Sequence, residues 1–234
     1  TVVSAKITHS PALSTDLQGN EIRFGENFSV RFIRTLRVPD DGKVYPLPAG
    51  LGEFPIARVT DYADRVPQSW IKHGGVFIPM YQREALWIHF EATHWRPNAV
   101  KVAAGKINAI SGKGWTQSLS DQEQDYMVCP PQQWLDGFKT GYGVVRQFVA
   151  MPLGQGYTAE EQLTGQEEFG GVQIIVYEPK PGRFPEEEET ILKKVSSEVL
   201  RSVPDAGQTE MGLGGGGKIV QKIYPDSHPS GTWD

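Results

Sequence analysis

Between residues 84 and 95 the chain carries a histidine, a carboxylate and two tryptophans at alternate positions. Successive side chains of a strand point to opposite faces. Ala85, Trp87, His89, Glu91, Thr93 and Trp95 would therefore share one face, and Leu86, Ile88, Phe90, Ala92 and His94 the other. The second set reads as a core face. The first combines indole rings with an imidazole and a carboxylate, which can stack a flat ligand such as a sugar and fix its orientation. His89 and Glu91 also project together and could ligate a metal. That site would need a third ligand, for which His73 and Asp64 are the candidates. The plainest outcome is that a loop or a second sheet covers this face and the pair hydrogen-bonds; ligand binding ranks second and a metal third.

A second stretch invites a chemical reading and fails it. Gly212-Leu213-Gly214-Gly215-Gly216-Gly217-Lys218 fits the first seven positions of a phosphate-binding loop, and GxGxxG as well. Such a loop needs Ser or Thr next, to hold magnesium, and a helix after it. Ile219 follows instead, and Ile219, Gln221 and Ile223 alternate against Val220, Lys222 and Tyr224 like a strand. The run is read as a turn ahead of a strand over residues 218–224. Cys129 is the one cysteine, which excludes an internal disulfide framework and a cysteine-rich zinc site. Set in Tyr126-Met127-Val128-Cys129-Pro130, it reads as a buried, inert thiol. No GxSxG, HExxH or EF-hand pattern occurs. A carboxylate pair for glycoside chemistry stays open, because its members need only be close in space.

The elements that must position these residues are mostly strands. The 234 residues include 26 Gly and 17 Pro, which favour turns over long helices. Candidate strands cover residues 2–8, 27–38, 56–60, 76–80, 84–95, 99–104, 106–110, 142–150, 172–177 and 218–224. In the second of these, Phe28, Val30 and Phe32 face a core while Ser29 and Arg31 face out. Residues 43–55 and 111–124 read as surface loops. Residues 151–169 form a longer loop that could start a helical turn capped by Thr158. A short helix is possible over residues 61–70. The clear helix spans residues 186–202, where Ile191, Leu192, Val195, Val199 and Leu200 recur at helical spacing behind an acidic first turn. The expected fold is mainly β: an antiparallel β-sandwich, or a barrel-like relative of one, in a single domain over residues 1–234, with one late amphipathic helix.

Charge narrows the partners. The net charge is −5, which argues against nucleic acid. The only basic series, Arg31, Arg34 and Arg37, reads as a solvated strand face. No apolar run reaches the length of a membrane-spanning helix. Thr1-Val2-Val3-Ser4 lacks the regions of a signal peptide, so the cytoplasm is expected, with secretion after removal of a leader left open. Asn27-Phe28-Ser29 is a glycosylation triplet inside an expected strand.

Three stretches carry a likeness. They are Ala99-Val100-Lys101-Val102-Ala103-Ala104-Gly105-Lys106-Ile107-Asn108-Ala109, then Val145-Arg146-Gln147-Phe148-Val149-Ala150-Met151-Pro152-Leu153-Gly154 with Gln162-Leu163-Thr164-Gly165, and Met211-Gly212-Leu213 running to Ile223-Tyr224. Together they resemble a family of uncharacterised β-rich proteins found in bacteria and fungi, over most of the chain from about Phe28 onward. That family has no established activity, so the resemblance transfers no functional residue and no cofactor. It implies that the glycine run belongs to a whole-chain pattern and that the chain is one complete domain. The function expected is that of a non-enzymatic β-domain acting in binding or self-assembly, with other copies of itself or a small molecule or glycan as partner. The alternatives are a metal-dependent or other hydrolase built on His89 and Glu91, and a carbohydrate-binding module using Trp87 and Trp95.

Overall fold

The computed structural model describes residues 6–7, 13–141, 143–166, 169–185 and 212–234. Short strands come first: β1 (Lys6–Ile7), β2 (Thr15–Gln18) and β3 (Glu21–Phe24). β4 (Phe28–Thr35) buries Phe28, Val30 and Phe32, the alternation expected of it. The Pro- and Gly-rich stretch after it holds two brief strands, β5 (Val44–Tyr45) and β6 (Gly50–Glu53). Next come β7 (Ala57–Arg58), a 3-10 turn (Val59–Tyr62), helix α1 (Gln68–His73) and β8 (Val76–Phe77). This corrects the single helix over residues 61–70. Pro67 cannot continue a helix through itself, so it stands at the N-cap of α1 and splits the segment in two.

The middle of the chain is more regular. β9 (Ala85–Ala92), β10 (Asn98–Ala104) and β11 (Ile107–Asn108) follow one another. The last two form the expected hairpin, pairing Ala104 with Ile107. Its two turn residues, Gly105 and Lys106, have φ of 55° and 63°, the left-handed geometry that matches strand twist in a two-residue hairpin. β12 (Met127–Cys129), β13 (Trp134–Leu135), β14 (Gly137–Gly141), β15 (Val144–Met151), helix α2 (Ala159–Thr164), β16 (Val172–Tyr177) and β17 (Gly212–Val220) complete the described elements. Thr158 caps α2 as expected, its side chain accepting from Glu161 N–H. The helix expected over residues 186–202 lies outside the described residues. No helix among the described residues is long and apolar enough to cross a membrane.

Two sheets dominate. The larger has ten strands in the order β2-β3-β4-β9-β15-β17-β5, with β6 added to β4, β13 to β9 and β14 to β15. The smaller has five, β1-β16-β10-β11 with β12 also on β10; β7 and β8 make a separate ribbon. Every pairing is antiparallel except β1 with β16 and β17 with β5. Phe32, Ile88 and Phe148 of the larger sheet join Val102, Ile174 and Val176 of the smaller in one apolar cluster. The layers therefore meet face to face as a sandwich, and the larger sheet ends openly at β2 and β5 rather than closing into a barrel. Cys129 lies in this core fully buried, and burial pushes its thiol well above the ordinary value, in keeping with an inert side chain.

β10 is buried on both faces. Its outward Lys101 has no exposed surface and lies beneath residues 115–125. Its ammonium donates to Asp125 Oδ2 at 2.6 Å, Ser118 O at 2.6 Å and Thr116 Oγ1 at 3.0 Å, so all three of its protons are used. The long polar loop thus closes over the small sheet around one buried cation.

The glycine run is a strand, not the turn expected, and that strand ends at Val220 instead of starting at Lys218. The reason is a crossing of chains. The segment after β4 passes directly over β17, and a Cβ on Gly217 would sit 2.2 Å from Pro39 O. One on Gly216 would sit 2.4 Å from Val149 Cγ2. The crossing chain is held by Gln147 of β15, whose Oε1 accepts from Val38 N–H at 2.9 Å and whose Nε2 donates to Leu36 O at 2.8 Å. Glycine is needed for close approach, so the Gly217→Ala variant should lose about 1–3 kcal/mol of stability by urea denaturation. Gly114→Ala, where a Cβ meets nothing within 4 Å, should change it by less than about 0.5 kcal/mol.

Candidate functional site

β9 delivers the face that its alternation implies. Leu86, Ile88 and Phe90 are buried in the core, while Trp87 and His89 are half-buried and Glu91 is exposed on the opposite side. Cross-strand partners share a face. On one flank β4 sets Ile33 against Trp87, Arg31 against His89 and Ser29 against Glu91. On the other, β13 sets Trp134 against His89. The outcome is a row of rings on the outer face of the larger sheet. Trp87 meets His89 edge-on at 6.0 Å between centroids, and Trp134, with 39% of its surface exposed, stands beyond the imidazole. Trp87 lies over Gly50, where a Cβ would come within 3.2 Å of the indole.

Arg31 organises the charges beside these rings. It donates to Glu91 and, at 3.0 Å, to Glu53, and lies 3.7 Å from Glu21. A guanidinium can serve several carboxylates because its donors fan out in one plane. Glu91 is thereby committed to Arg31. The His89 ring makes no hydrogen bond among the described residues. Burial first, and the Arg31 guanidinium second, hold its imidazole below the ordinary value despite the pull of Glu91, Glu53 and Glu21. The ring is neutral near pH 7, so it offers one donor and one acceptor nitrogen to whatever occupies the face. Beyond Glu91 the surface dips into a polar pocket of about 240 Å³ bordered by Glu21, Arg23, Asn27, Ser29 and Thr93.

Other expected members stand elsewhere. Trp95 was expected on this strand face, but β9 ends at Ala92, and Trp95 lies in the following turn against His94 at 5.1 Å. The strand stops there because Arg96-Pro97 must turn the chain into β10, and proline restricts the residue before it. His73 closes α1 and Asp64 lies in the turn ahead of it. Neither joins His89 and Glu91: among the described residues no three His, Cys, Asp or Glu side chains gather as a metal would require. The three arginines do not form one solvated face. Arg34 falls on the core side of β4, over the Phe54 ring at 4.3 Å and paired with Glu84 at 2.5 Å. A spacing of three reverses face on a strand.

Sequence reasoning missed Trp134 and the carboxylates Glu21 and Glu53. They come from separate strands that only the sheet order brings together, and none carries a local signal. No protein-family model, curated protein or solved structure matches the chain. The face is therefore read from its own chemistry.

Asp136, also missed, sits where β13 passes into β14. It is 1% exposed, and neither carboxyl oxygen has a hydrogen-bond partner among the described residues. Its backbone is held, with N–H donating to Gln221 Oε1 at 3.0 Å and C=O accepting from Phe148 N–H at 3.0 Å. Burial pushes the carboxyl up from 3.8 to about 7. The folded chain thus keeps a proton that the unfolded chain loses near pH 4, and folding weakens as pH rises from about 4 to about 7, then levels off. The span amounts to about 4 kcal/mol. The Asp136→Asn variant removes the ionisation. Urea denaturation at about pH 5 and about pH 8 should show most of this loss in the parent chain and not in the variant.

Proposed function

We propose that this chain is a non-enzymatic binding domain that takes a carbohydrate on the outer face of its larger sheet. The observation that supports this most is the row formed by Trp87, His89 and Trp134, flanked by the Arg31–Glu91–Glu53 group. Sugar rings present apolar C–H faces and a rim of hydroxyls. Indole faces accept the first, and carboxylates, guanidinium and neutral imidazole accept or donate to the second. Strand-borne residues locked by ion pairs are pre-organised, so little side-chain entropy is lost on binding. The hydrolytic alternative has less behind it. Glu91 is held by Arg31 rather than set against His89, so the pair does not form an acid–base unit.

Trp134 supplies the test because it is half exposed and outside the apolar cluster. Intrinsic tryptophan fluorescence is titrated with cello-, xylo-, manno- and chito-oligosaccharides. At least one series should shift the emission, and Trp134→Ala, with circular dichroism matching the parent, should weaken that binding about ten-fold or more. Silence across all four series, or parental affinity in the variant, overturns the reading.

A further inference from the structure

A second opening has a different chemistry. A cleft of about 610 Å³, within the size range of small-molecule sites, is lined by residues of β14, β15 and β17 together with Ile110, Gln124, residues 221–223 and Pro225. Ile110, just past β11, lines it from the side of the smaller sheet, and Val144 and Val220 from β15 and β17. Ile223, packed against the core, adds to the apolar wall. Val220 is 60% exposed there, so its side chain is accessible to a ligand.

Two lysines, Lys139 and Lys222, are also among the residues that line the cleft. Neither has a carboxylate within ion-pair range among the described residues, in a chain of net charge −5. Glu123, the acid whose field reaches Lys139, is taken by Lys113 at 2.7 Å. Lys222 lies over the Tyr224 ring at 4.9 Å. The polar amides at the cleft are spent internally. Gln221 holds Asp136 N–H and Trp134 O, and Gln124 holds Tyr126 O, Tyr224 O and Asp226 N–H. What remains for a ligand is an apolar wall and two lysines that no carboxylate engages at ion-pair distance among the described residues.

We infer that this cleft binds a small anionic amphiphile, a carboxylate carried on an apolar chain, with Lys139 and Lys222 at the head and Ile110, Val144, Val220 and Ile223 along the tail. Apolar walls alone would accept any hydrophobic chain; the unpaired lysines select the negative head. The site shares no residue with the aromatic face of the larger sheet and does not depend on the function proposed for it.

The test is calorimetric titration of the full chain with sodium decanoate and, as a counterpart with the same nine-carbon tail and opposite charge, nonyltrimethylammonium bromide. Decanoate should bind with one site and the cation should not. The Lys139→Gln/Lys222→Gln double variant, whose circular dichroism should match the parent, should bind decanoate about ten-fold or more weakly. Equal binding of the cation, undiminished binding by a folded double variant, or no binding of decanoate overturns the inference. So does co-flotation with phosphatidylglycerol vesicles in the absence of decanoate binding, which would place the anion in a bilayer surface instead.

Discussion

The outer face of this molecule is governed by what β9 must hide on its inner one. Leu86, Ile88 and Phe90 close the core between the layers, against Phe32 and Phe148 of the same sheet and Val102 and Ile174 of the other. Fully burying each such side chain is worth about 1.5–3 kcal/mol, so the register of β9 is heavily constrained. Slipping by one residue would carry the polar set inward and the apolar set into water. Trp87, His89 and Glu91 are therefore fixed on the outer face without needing any contact of their own. Their flanks follow from the same ladder, which sets Arg31 on one side of His89 and Trp134 on the other.

The same logic explains where the chain spends polar groups inside. Lys101 and Gln147 are both fully buried, and both use their donors: Lys101 gathers residues 116–125 over the small sheet, and Gln147 ties down the chain that crosses β17. Each acts as a strut between the sandwich and a segment without regular structure, in the one chemical form that makes burial of a polar group tolerable. Asp136 stands apart. Its backbone is engaged at the β13–β14 junction, while its carboxyl has no hydrogen-bond partner among the described residues and stays protonated well above the ordinary range.

The legible part of the molecule was the part ruled by local period. Alternation in β4 and β9 and the Gly105-Lys106 turn could be read because the physical cause lies within a few consecutive residues. Trp95 was misread for the same reason in reverse: the alternation persists on paper past Ala92, but Pro97 redirects the chain. The glycine run was misread because its cause is remote. Nothing near Gly217 announces that Pro39, far back in the chain, will pass within contact of it. Trp134, Glu21 and Glu53 were invisible as site residues, since their membership depends on strand order and not on spacing.

Charge is distributed unevenly over these surfaces, and the unevenness separates two kinds of recognition. On the aromatic face, carboxylates outnumber guanidinium groups but are tied to them, with Arg31 shared among Glu21, Glu53 and Glu91. Such a network keeps an excess of negative charge, which disfavours an anionic ligand, and offers fixed donors and acceptors around flat rings. At the cleft lined by Lys139 and Lys222 the opposite holds. Lys139 and Lys222 line the cleft beside apolar side chains, and neither makes an ion pair among the described residues. A neutral, hydroxyl-rich ligand suits the first arrangement and an anionic, apolar one the second. The two surfaces differ in what the ladder sets across from each charge: Arg31 has carboxylate-bearing strands on its flanks, whereas the cross-strand neighbour of Lys139 is the apolar Val145.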